Sequence, residues 1–212
     1  MTVVKICGIT NLDDALAAVD AGADALGFNF YARSPRYISP ANTRAITDQL
    51  PPSILKVGVF VNHELQSLLT IASETNLTAV QLHGDESPDY CRQLKEMFVI
   101  KAFGAQDDLE LRAYAVDAIM LDTKDDLLRG GTGRVFDWSI AQRANSSSAH
   151  TSIPKLFLAG GLSPENVAAA IATVKPYAVD ACSSLEETPG KKNHARMRAF
   201  VNAVRSVALD AD

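Results

Sequence analysis

Cysteine is scarce in this sequence, and long hydrophobic runs are missing from it. The three cysteines, Cys7, Cys91 and Cys182, are far apart and form no Cys-x-x-Cys pair, which argues against a disulfide-rich secreted domain and against a zinc site. No apolar run reaches the roughly 18 residues of a membrane span, and the first residues lack the charged and then apolar pattern of a signal peptide. We therefore expect a cytoplasmic protein with no membrane partner.

Positive charge is not in excess either. Twenty Lys and Arg residues against 25 Asp and Glu residues give a net charge of -5, whereas nucleic-acid binding needs clustered cations that contact phosphates. We expect no nucleic-acid partner, but a small phosphorylated molecule can still bind locally. Hydrophobic residues make up 47% and charged residues 21% of the chain, which are ordinary globular values. The length suits one domain over residues 1–212.

Short aliphatic runs alternate with longer amphipathic stretches along the chain. Several of the runs are apolar on both faces, as parallel strands covered on both sides are. The runs cover residues 3–7, 25–30, 55–61, 79–83, 99–103, 118–122, 156–159 and 177–180. Ser-Pro pairs at Ser39, Ser87 and Ser163 indicate helix starts. Eight such units predict a (β/α)₈ TIM barrel, which tolerates as few as about 200 residues. A doubly wound open sheet has the same local pattern, and only the number of units favours the barrel.

Polar residues occur where these strands end, which is the face where barrel enzymes carry their active sites. They include Lys5, Cys7, Asn29, Asn62, Gln81, His83, Lys101, Asp122, Lys124, Asp180 and Cys182. A free cysteine such as Cys7 is most often a core residue, but Lys5 lies on the same strand face and favours a thiolate. Asp122 is either a general acid in a dry pocket or an ion-pair partner of Lys101 or Lys124.

Two loops after the seventh and eighth runs have the features of an anion site. Gly160 and Gly161 precede a predicted helix, and Ser183 and Ser184 precede a helical turn. Backbone N–H groups in such loops bind phosphate in many barrel enzymes. Two tight turns are the alternative interpretation. The glycine-rich segment 130–133 is either a lid or a surface loop.

One arginine and two histidines can each be interpreted as a binding residue or as an ordinary structural residue. Arg36, in the loop after the second run, has a guanidinium that suits a carboxylate, although most arginines are solvated surface residues. His63 and His83 lie on separate runs with no carboxylate at a metal-binding spacing. We therefore expect no metal and no cofactor.

Several motifs follow one another in a fixed order over nearly the whole chain. Among them are Lys5-Ile6-Cys7-Gly8, Ser34-Pro35-Arg36-Tyr37, Val80-Gln81-Leu82-His83-Gly84, Leu121-Asp122-Thr123-Lys124 and Ala159-Gly160-Gly161-Leu162. In this order they resemble the phosphoribosylanthranilate isomerase family of tryptophan biosynthesis. The resemblance implies a (β/α)₈ barrel that converts N-(5-phosphoribosyl)anthranilate to an open-chain 1-deoxyribulose phosphate by an Amadori rearrangement.

The resemblance also implies roles for single residues. It implies that Cys7 is the general base, that Asp122 is the general acid, and that Arg36 binds the anthranilate carboxylate. Phosphate is expected at Gly160 and Gly161 and at Ser183 and Ser184. Gln81, His83 and Asp180 are expected to be further substrate-binding residues. The oligomeric state, monomer or homodimer, stays open.

One segment departs from the family pattern. The family reads Asp-Val-Ser-Ser-Gly where this chain reads Asp180-Ala181-Cys182-Ser183-Ser184, so Ser184 stands at the glycine position. If that position needs a positive φ, serine carries a conformational cost there; otherwise its hydroxyl can bind the phosphate.

Three other functions remain open. A related barrel isomerase acting on another phosphosugar is disfavoured because this chain has Cys7 where that relative has Asp. An aldolase would use Lys101 as its Schiff base. A sensor would bind phosphate or anthranilate without turnover.

Overall fold

The computed structural model describes residues 1–105, 111–123, 137–146 and 155–209 of the chain. Eight parallel strands follow one another in chain order and close into a barrel. They are β1 (Val3–Cys7), β2 (Ala25–Asn29), β3 (Leu55–Phe60), β4 (Ala79–Leu82), β5 (Phe98–Gly104), β6 (Ala118–Asp122), β7 (Lys155–Leu158) and β8 (Ala178–Ala181). The ring closes where β8 pairs with β1, which places Lys5 opposite Asp180. The predicted barrel is confirmed, and the alternative of an open sheet is wrong.

Helices follow the strands and cover the outside of the barrel. They are α1 (Leu12–Asp20), α2 (Pro40–Thr47), α3 (Leu65–Glu74), α4 (Pro88–Arg92), α5 (Trp138–Ser146), α6 (Val167–Val174) and α7 (His194–Leu209). Short 3₁₀ turns are formed by Leu111–Ala113 and Ser183–Leu185. Among the described residues, no helix combines the length and the apolar character needed to span a membrane.

Side-chain caps start several of these helices, among them the two predicted at Ser39 and Ser87. The side chains of Asn11, Ser39 and Ser87 accept hydrogen bonds from backbone N–H groups three residues on, at 2.8–3.2 Å. The helix start predicted at Ser163 is wrong, because α6 begins at Val167. The Asn166 side chain instead accepts from the Ser163 N–H at 2.8 Å, which forms a separate turn before the helix. The sequence also predicts a helix from Asp107 after the fifth apolar run, and this position lies outside the described residues.

Two apolar clusters hold the barrel together. The larger one packs the outer faces of the strands against the helices. The smaller one fills the barrel interior with mostly small residues, as expected when alternate residues point inward. It comprises Ala25, Val57, Ala79, Ile100, Ala102, Ala118, Met120, Phe157, Ala159 and Ala178. Lys5 is paired with Ala25 of this interior cluster, so Lys5 and Cys7 lie on the inward face of β1.

A two-stranded hairpin between β8 and α7 was not predicted. Its strands, β9 (Glu186–Thr188) and β10 (Lys191–Lys192), are antiparallel, and Gly190 lies in the turn with a φ of 85°. The Thr10 hydroxyl donates a hydrogen bond to the Gly190 carbonyl. A Cβ atom on Gly190 would lie 3.3 Å from the Pro35 carbonyl oxygen. The hairpin therefore packs against the loops that follow β1 and β2.

Candidate active site

Lys5 and Asp180 form a buried ion pair at the point where the barrel closes. The Lys5 Nζ lies 2.7 Å from the Asp180 Oδ1, and the Lys5 side chain is fully buried. The two residues are opposite each other in the β1–β8 register. The attraction of Asp180 and Cys7 outweighs the effect of burial, and the pKa of Lys5 rises above its ordinary value. Lys5 therefore stays charged at the inner face of β1.

Cys7 lies next to this pair at the end of β1. A Cβ atom on Gly27 would lie 2.7 Å from the Cys7 Sγ and 3.2 Å from the Lys5 Nζ, so the glycine makes room for the sulfur and the ammonium. A hydrogen bond from the Cys182 thiol, with help from Lys5, lowers the pKa of Cys7 to about 6 against the opposing effect of burial. Burial instead raises the pKa of the Cys91 thiol to about 11. These surroundings thus favour the thiolate form of Cys7.

Asp122 at the end of β6 has the opposite electrostatic environment. Burial, together with the negative charge of Asp180, raises the pKa of Asp122 to about 7. The carboxylate accepts a hydrogen bond from its neighbour, the Thr123 N–H, at 2.7 Å. Its Oδ2 lies 3.7 Å from the His83 Nε2. A carboxyl group of this kind can donate a proton near neutral pH.

Gln81 and His83 meet at the end of β4. The Gln81 Nε2 lies 2.8 Å from the His83 Nδ1. Because an amide nitrogen only donates, this arrangement makes Nδ1 the acceptor and places the proton of a neutral His83 on Nε2, toward Asp122. The Gln81 Oε1 is buried without a hydrogen-bond partner in the described part of the chain.

Lys101 does not reach Asp122, so the ion pair considered for these two residues is wrong. Its Nζ lies 3.1 Å from the Glu86 Oε2 and donates to the carbonyl oxygens of Leu82, Gly84 and Ala102. The Lys101 ammonium group thus stabilises the loop after β4 through these contacts. These contacts occupy the Lys101 ammonium group, which does not suit a Schiff-base lysine.

Arg36 is held by the hairpin. Its Nε and Nη2 donate to the Glu186 carboxylate at 2.8–3.1 Å, and Glu186 also pairs with the Lys192 Nζ at 3.0 Å. Both Glu186 and Lys192 are nearly inaccessible to solvent. The Arg36 Nη1 donates to no described residue, which leaves its two N–H groups for a ligand. Neither Glu186 nor Lys192 was predicted as a site residue, although they lie on either side of Pro189-Gly190.

Two loops beside the rim present backbone N–H groups. Gly160 and Gly161 have φ values of 82° and 67°, which glycine adopts without strain. Within the described residues, the N–H groups of Gly161, Ser183 and Ser184 donate to no protein acceptor. Such N–H groups at a loop and at the start of a helical turn are suited to an anion.

Ser184 is not strained at the position where the family pattern has glycine. The non-glycine residues with positive φ in the described chain are Asn62, Asn76 and Lys175, so the conformational cost considered for Ser184 is absent. Its hydroxyl donates to the Leu162 carbonyl and thereby ties the two loops together. The alternative expectation, a hydroxyl free for phosphate, is not what this structure shows.

Several of the predicted residues thus meet at one rim, around the end of β1. Cys7, Asp122 and Asp180 influence one another electrostatically, and Arg36 lies close to Gly8. Lys124 and the segment 130–133 lie outside the described residues. No group of three or more His, Cys, Asp or Glu side chains suited to a metal ion occurs in the described chain.

Comparison with known proteins gives consistent matches over nearly the whole chain. The family model described as N-(5'-phosphoribosyl)anthranilate isomerase matches residues 4–203. A relative with that name from Thermotoga neapolitana is 46% identical over 211 residues, which cover 98% of this chain and 100% of the relative.

Two solved structures also match. One is a phosphoribosyl anthranilate isomerase in complex with reduced 1-(o-carboxyphenylamino)-1-deoxyribulose 5-phosphate, with 44% identity and a TM-score of 0.84 over 97% of this chain and 100% of that chain. The other is a structure of monomers generated from the dimeric isomerase of Thermotoga maritima, with 42% identity and a TM-score of 0.83 over 97% and 100%.

Proposed function

The chain belongs to the N-(5'-phosphoribosyl)anthranilate isomerase family, and on that premise we propose that Cys7 and Asp122 perform its acid–base chemistry. The protein is an isomerase of tryptophan biosynthesis. Its substrate is an aminoaldose that is converted to an aminoketose. This conversion moves a proton and opens a ring, so it requires one acid and one base at the same pH.

The proposed reaction begins with the acid. Asp122 in its protonated form donates to the ribose ring oxygen, and the ring opens to a Schiff base. The Cys7 thiolate then removes the proton from C2′, which gives an enolamine that becomes the ketone. The observation that carries this assignment is that the two pKa values are shifted in opposite directions. The pKa of Cys7 is lowered to about 6, and the pKa of Asp122 is raised to about 7.

The remaining groups of the rim would hold the substrate in place. The free Nη1 of Arg36 supports a role in binding the anthranilate carboxylate, since Glu186 already fixes the guanidinium plane. The N–H groups near Gly161 and Ser183 support a phosphate site. Anchoring both ends of the substrate places C2′ and the ring oxygen within reach of Cys7 and Asp122.

Three other polar residues complete the proposed substrate site. Gln81 orients His83, whose Nε2 proton faces the region of Asp122. Asp180 uses Oδ1 for Lys5, so its Oδ2 can accept a hydrogen bond from the substrate. These positions suit the hydroxyl and amino groups of an opened ribose.

The test follows the loss of anthranilate-ring fluorescence when purified protein meets phosphoribosylanthranilate. We expect Cys7→Ala and Asp122→Asn each to lower kcat by about 10²–10⁴-fold, which is the usual contribution of a general base or acid. Cys91→Ala and Asp24→Asn are matched controls, because Cys91 is on α4 and Asp24 pairs with Arg205 away from the rim. Full activity of a folded Cys7→Ala enzyme would overturn the assignment of the base.

A further inference from the structure

The hairpin buries a second cation on the carboxylate that holds Arg36. The Glu186 carboxylate contacts the Arg36 Nη2 at 2.8 Å and the Lys192 Nζ at 3.0 Å, so one anion is shared by two cations. Arg36 keeps 13% of its side-chain surface exposed, whereas the Lys192 side chain has no exposed surface. A ligand at the rim can therefore contact Arg36 but not the Lys192 ammonium. The proposed function assigns no role to Lys192.

Lys192 is anchored at both its ammonium group and its backbone. The Nζ donates to the Cys182 carbonyl at 3.2 Å and lies 3.8 Å from the Cys182 Sγ. The backbone N–H donates to Asp14 at 2.8 Å, and the other Asp14 oxygen lies 2.8 Å from the His194 Nε2. Glu186 is thus the carboxylate that the Lys192 ammonium contacts in the described part of the chain.

The charges of this cluster do not cancel. Arg36 and Lys192 carry two positive charges and Glu186 carries one negative charge, which leaves a net charge of +1. An Arg36–Glu186 pair without Lys192 would be neutral, and a neutral pair attracts an anion far less than a net cation does. A buried net charge is costly until a counter-ion binds. The cluster is therefore suited to a ligand that brings one negative charge to Arg36.

A second cluster, at the end of β1, has the opposite charge. Its one cation, Lys5, contacts Asp180 at 2.7 Å and also acts on Cys7. With Cys7 as thiolate, this cluster combines one cation with two anions. The Arg36 side chain reaches the edge of this cluster, since its Cδ lies 2.8 Å from the position of a Cβ atom on Gly8. An anionic group of a ligand is therefore drawn toward Arg36 and repelled from Cys7.

We propose that Lys192 is a specificity-determining residue that acts through Glu186: its buried charge offsets the Glu186 carboxylate, so that Arg36 keeps a net positive charge for the carboxylate of an aromatic ligand. The inference rests on the proposed role of Arg36 in binding the anthranilate carboxylate. Lys192 touches neither the substrate nor the reacting atoms, so it is a positioning residue. Its loss weakens the binding of a carboxylate and spares the binding of an uncharged aromatic ring.

The test compares wild-type protein with Lys192→Met, with Arg36→Met and with the double variant Glu186→Gln/Lys192→Met. The double variant removes one negative and one positive charge, so Arg36 again supplies a single uncompensated positive charge. The first readout is the dissociation constant of benzoate and of its uncharged counterpart benzamide, measured by ligand titration in NMR. This readout does not depend on turnover. The second readout is kcat and KM for phosphoribosylanthranilate.

Lys191→Met is the matched control, because it makes the same change at the adjacent position. The Lys191 side chain is 67% exposed and pairs with Glu187 at 2.8 Å. All titrations are run at pH 8, above the lowered pKa of Cys7, so that a change in Cys7 ionisation does not alter the affinities. Circular dichroism confirms that each variant is folded.

We expect wild-type protein to prefer benzoate over benzamide and Lys192→Met to lose roughly 10-fold of that preference. The KM of Lys192→Met should rise by a similar factor, and its kcat should change little. The double variant should regain most of the preference, because the glutamine side chain does not neutralise Arg36. Lys191→Met should behave like the wild type.

An unchanged preference in Lys192→Met, combined with its loss in Arg36→Met, would overturn the inference and leave the proposed role of Arg36 intact. A double variant that does not regain the preference would show that Lys192 acts through the packing of the hairpin, which also overturns the inference. Equal affinities of benzoate and benzamide for wild-type protein would contradict Arg36 as the carboxylate-binding residue, and the inference with it.

Discussion

At the scale of single residues, the buried pair of Lys5 and Asp180 places two full charges beside Cys7. Removing one partner leaves the other charge buried and uncompensated. We expect Asp180→Ala to lower the free energy of unfolding by about 3–5 kcal/mol, measured by urea denaturation. The exposed pair of Glu187 and Lys191, with N and O 2.8 Å apart, supplies a control, because Glu187→Ala should cost at most about 1 kcal/mol. Equal losses in the two variants would contradict this expectation.

The opposed environments of Cys7 and Asp122 predict a narrow pH optimum. The active form needs Cys7 as thiolate and Asp122 as acid. Activity therefore rises as pH passes the Cys7 pKa of about 6 and falls as pH passes the Asp122 pKa of about 7. Measuring kcat/KM from pH 5 to 9 should give a bell, whose limbs belong to the interacting pair. A rate that stays constant up to pH 9 would argue against Asp122 as the acid.

The raised pKa of Asp122 also makes the folded protein less stable at high pH. Its pKa is about 7 in the folded protein against 3.8 in the unfolded chain, so the folded state binds this proton more tightly. The stability contributed by the protonated form is lost as pH rises from 3.8 to about 7. We expect the stability gained by Asp122→Asn to be roughly 2–3 kcal/mol larger at pH 8 than at pH 5. Urea denaturation at both pH values tests this, and an equal gain at both would contradict it.

Some of these residues can be predicted from the sequence, and others cannot. Cys7 and Asp122 end apolar runs, so their polar character stands out, and Lys5 follows from the period of two along a strand. Glu186 and Lys192 lie in a charged stretch that looks solvent-exposed. Both are buried because their charges are paired: Glu186 contacts Lys192 and also Arg36, which lies 150 positions away from Glu186. Charge pairing between such distant residues depends on the fold and produces no recognisable pattern in the local sequence.

At the scale of elements, the hairpin connects the barrel rim to Arg36. Gly190→Ala puts a Cβ at a φ of 85° and 3.3 Å from the Pro35 carbonyl oxygen. We expect a loss of stability of about 1–2 kcal/mol and a several-fold rise in KM, because the hairpin fixes the guanidinium. Stopped-flow or steady-state fluorescence measures the KM.

A control for this variant should destabilise the protein without touching the hairpin. Glu64→Ala removes the N-cap of α3, where the carboxylate accepts from two N–H groups at 2.9 and 2.7 Å, and should lower the stability of the protein. Its KM should equal that of the wild type. If KM rises in both variants alike, the effect of Gly190→Ala comes from general instability.

Strands and most helix starts of this fold follow from local sequence, but the hairpin does not. The strands of the barrel are buried on both faces, so they appear as apolar runs, and Ser39 and Ser87 supply recognisable caps. The strands β9 and β10 have three and two residues and no apolar alternation. The late start of α6 depends on the Asn166 side chain, which completes a turn that a Ser-Pro pair does not predict.

At the scale of the whole molecule, a phosphate site at the rim should stabilise the fold by mass action. Binding to the folded state alone adds about 2.7 kcal/mol at a ligand concentration of 100 times Kd. We expect inorganic phosphate to raise the unfolding temperature more than chloride does at equal ionic strength. Gly161→Ala, at a φ of 67°, should abolish the increment.

A glycine away from the rim provides the control for this experiment. Gly22→Ala introduces similar backbone strain at a φ of 95°, next to Val201, and should retain the phosphate increment. Loss of the increment in both variants would show that phosphate acts through the general stability of the protein. Retention in Gly161→Ala would argue against this loop as the anion site.

The ion pair of Lys5 and Asp180 also has a meaning for the order in which the protein assembles. The two residues are 175 positions apart and meet where the last strand joins the first. A partly assembled barrel with an open seam separates Lys5 from Asp180, so the charged surroundings of Cys7 are incomplete. During refolding, helices and strands can therefore form early, whereas catalysis returns only after the ring has closed. Recovery of activity during refolding therefore reports the closure of the barrel between β8 and β1.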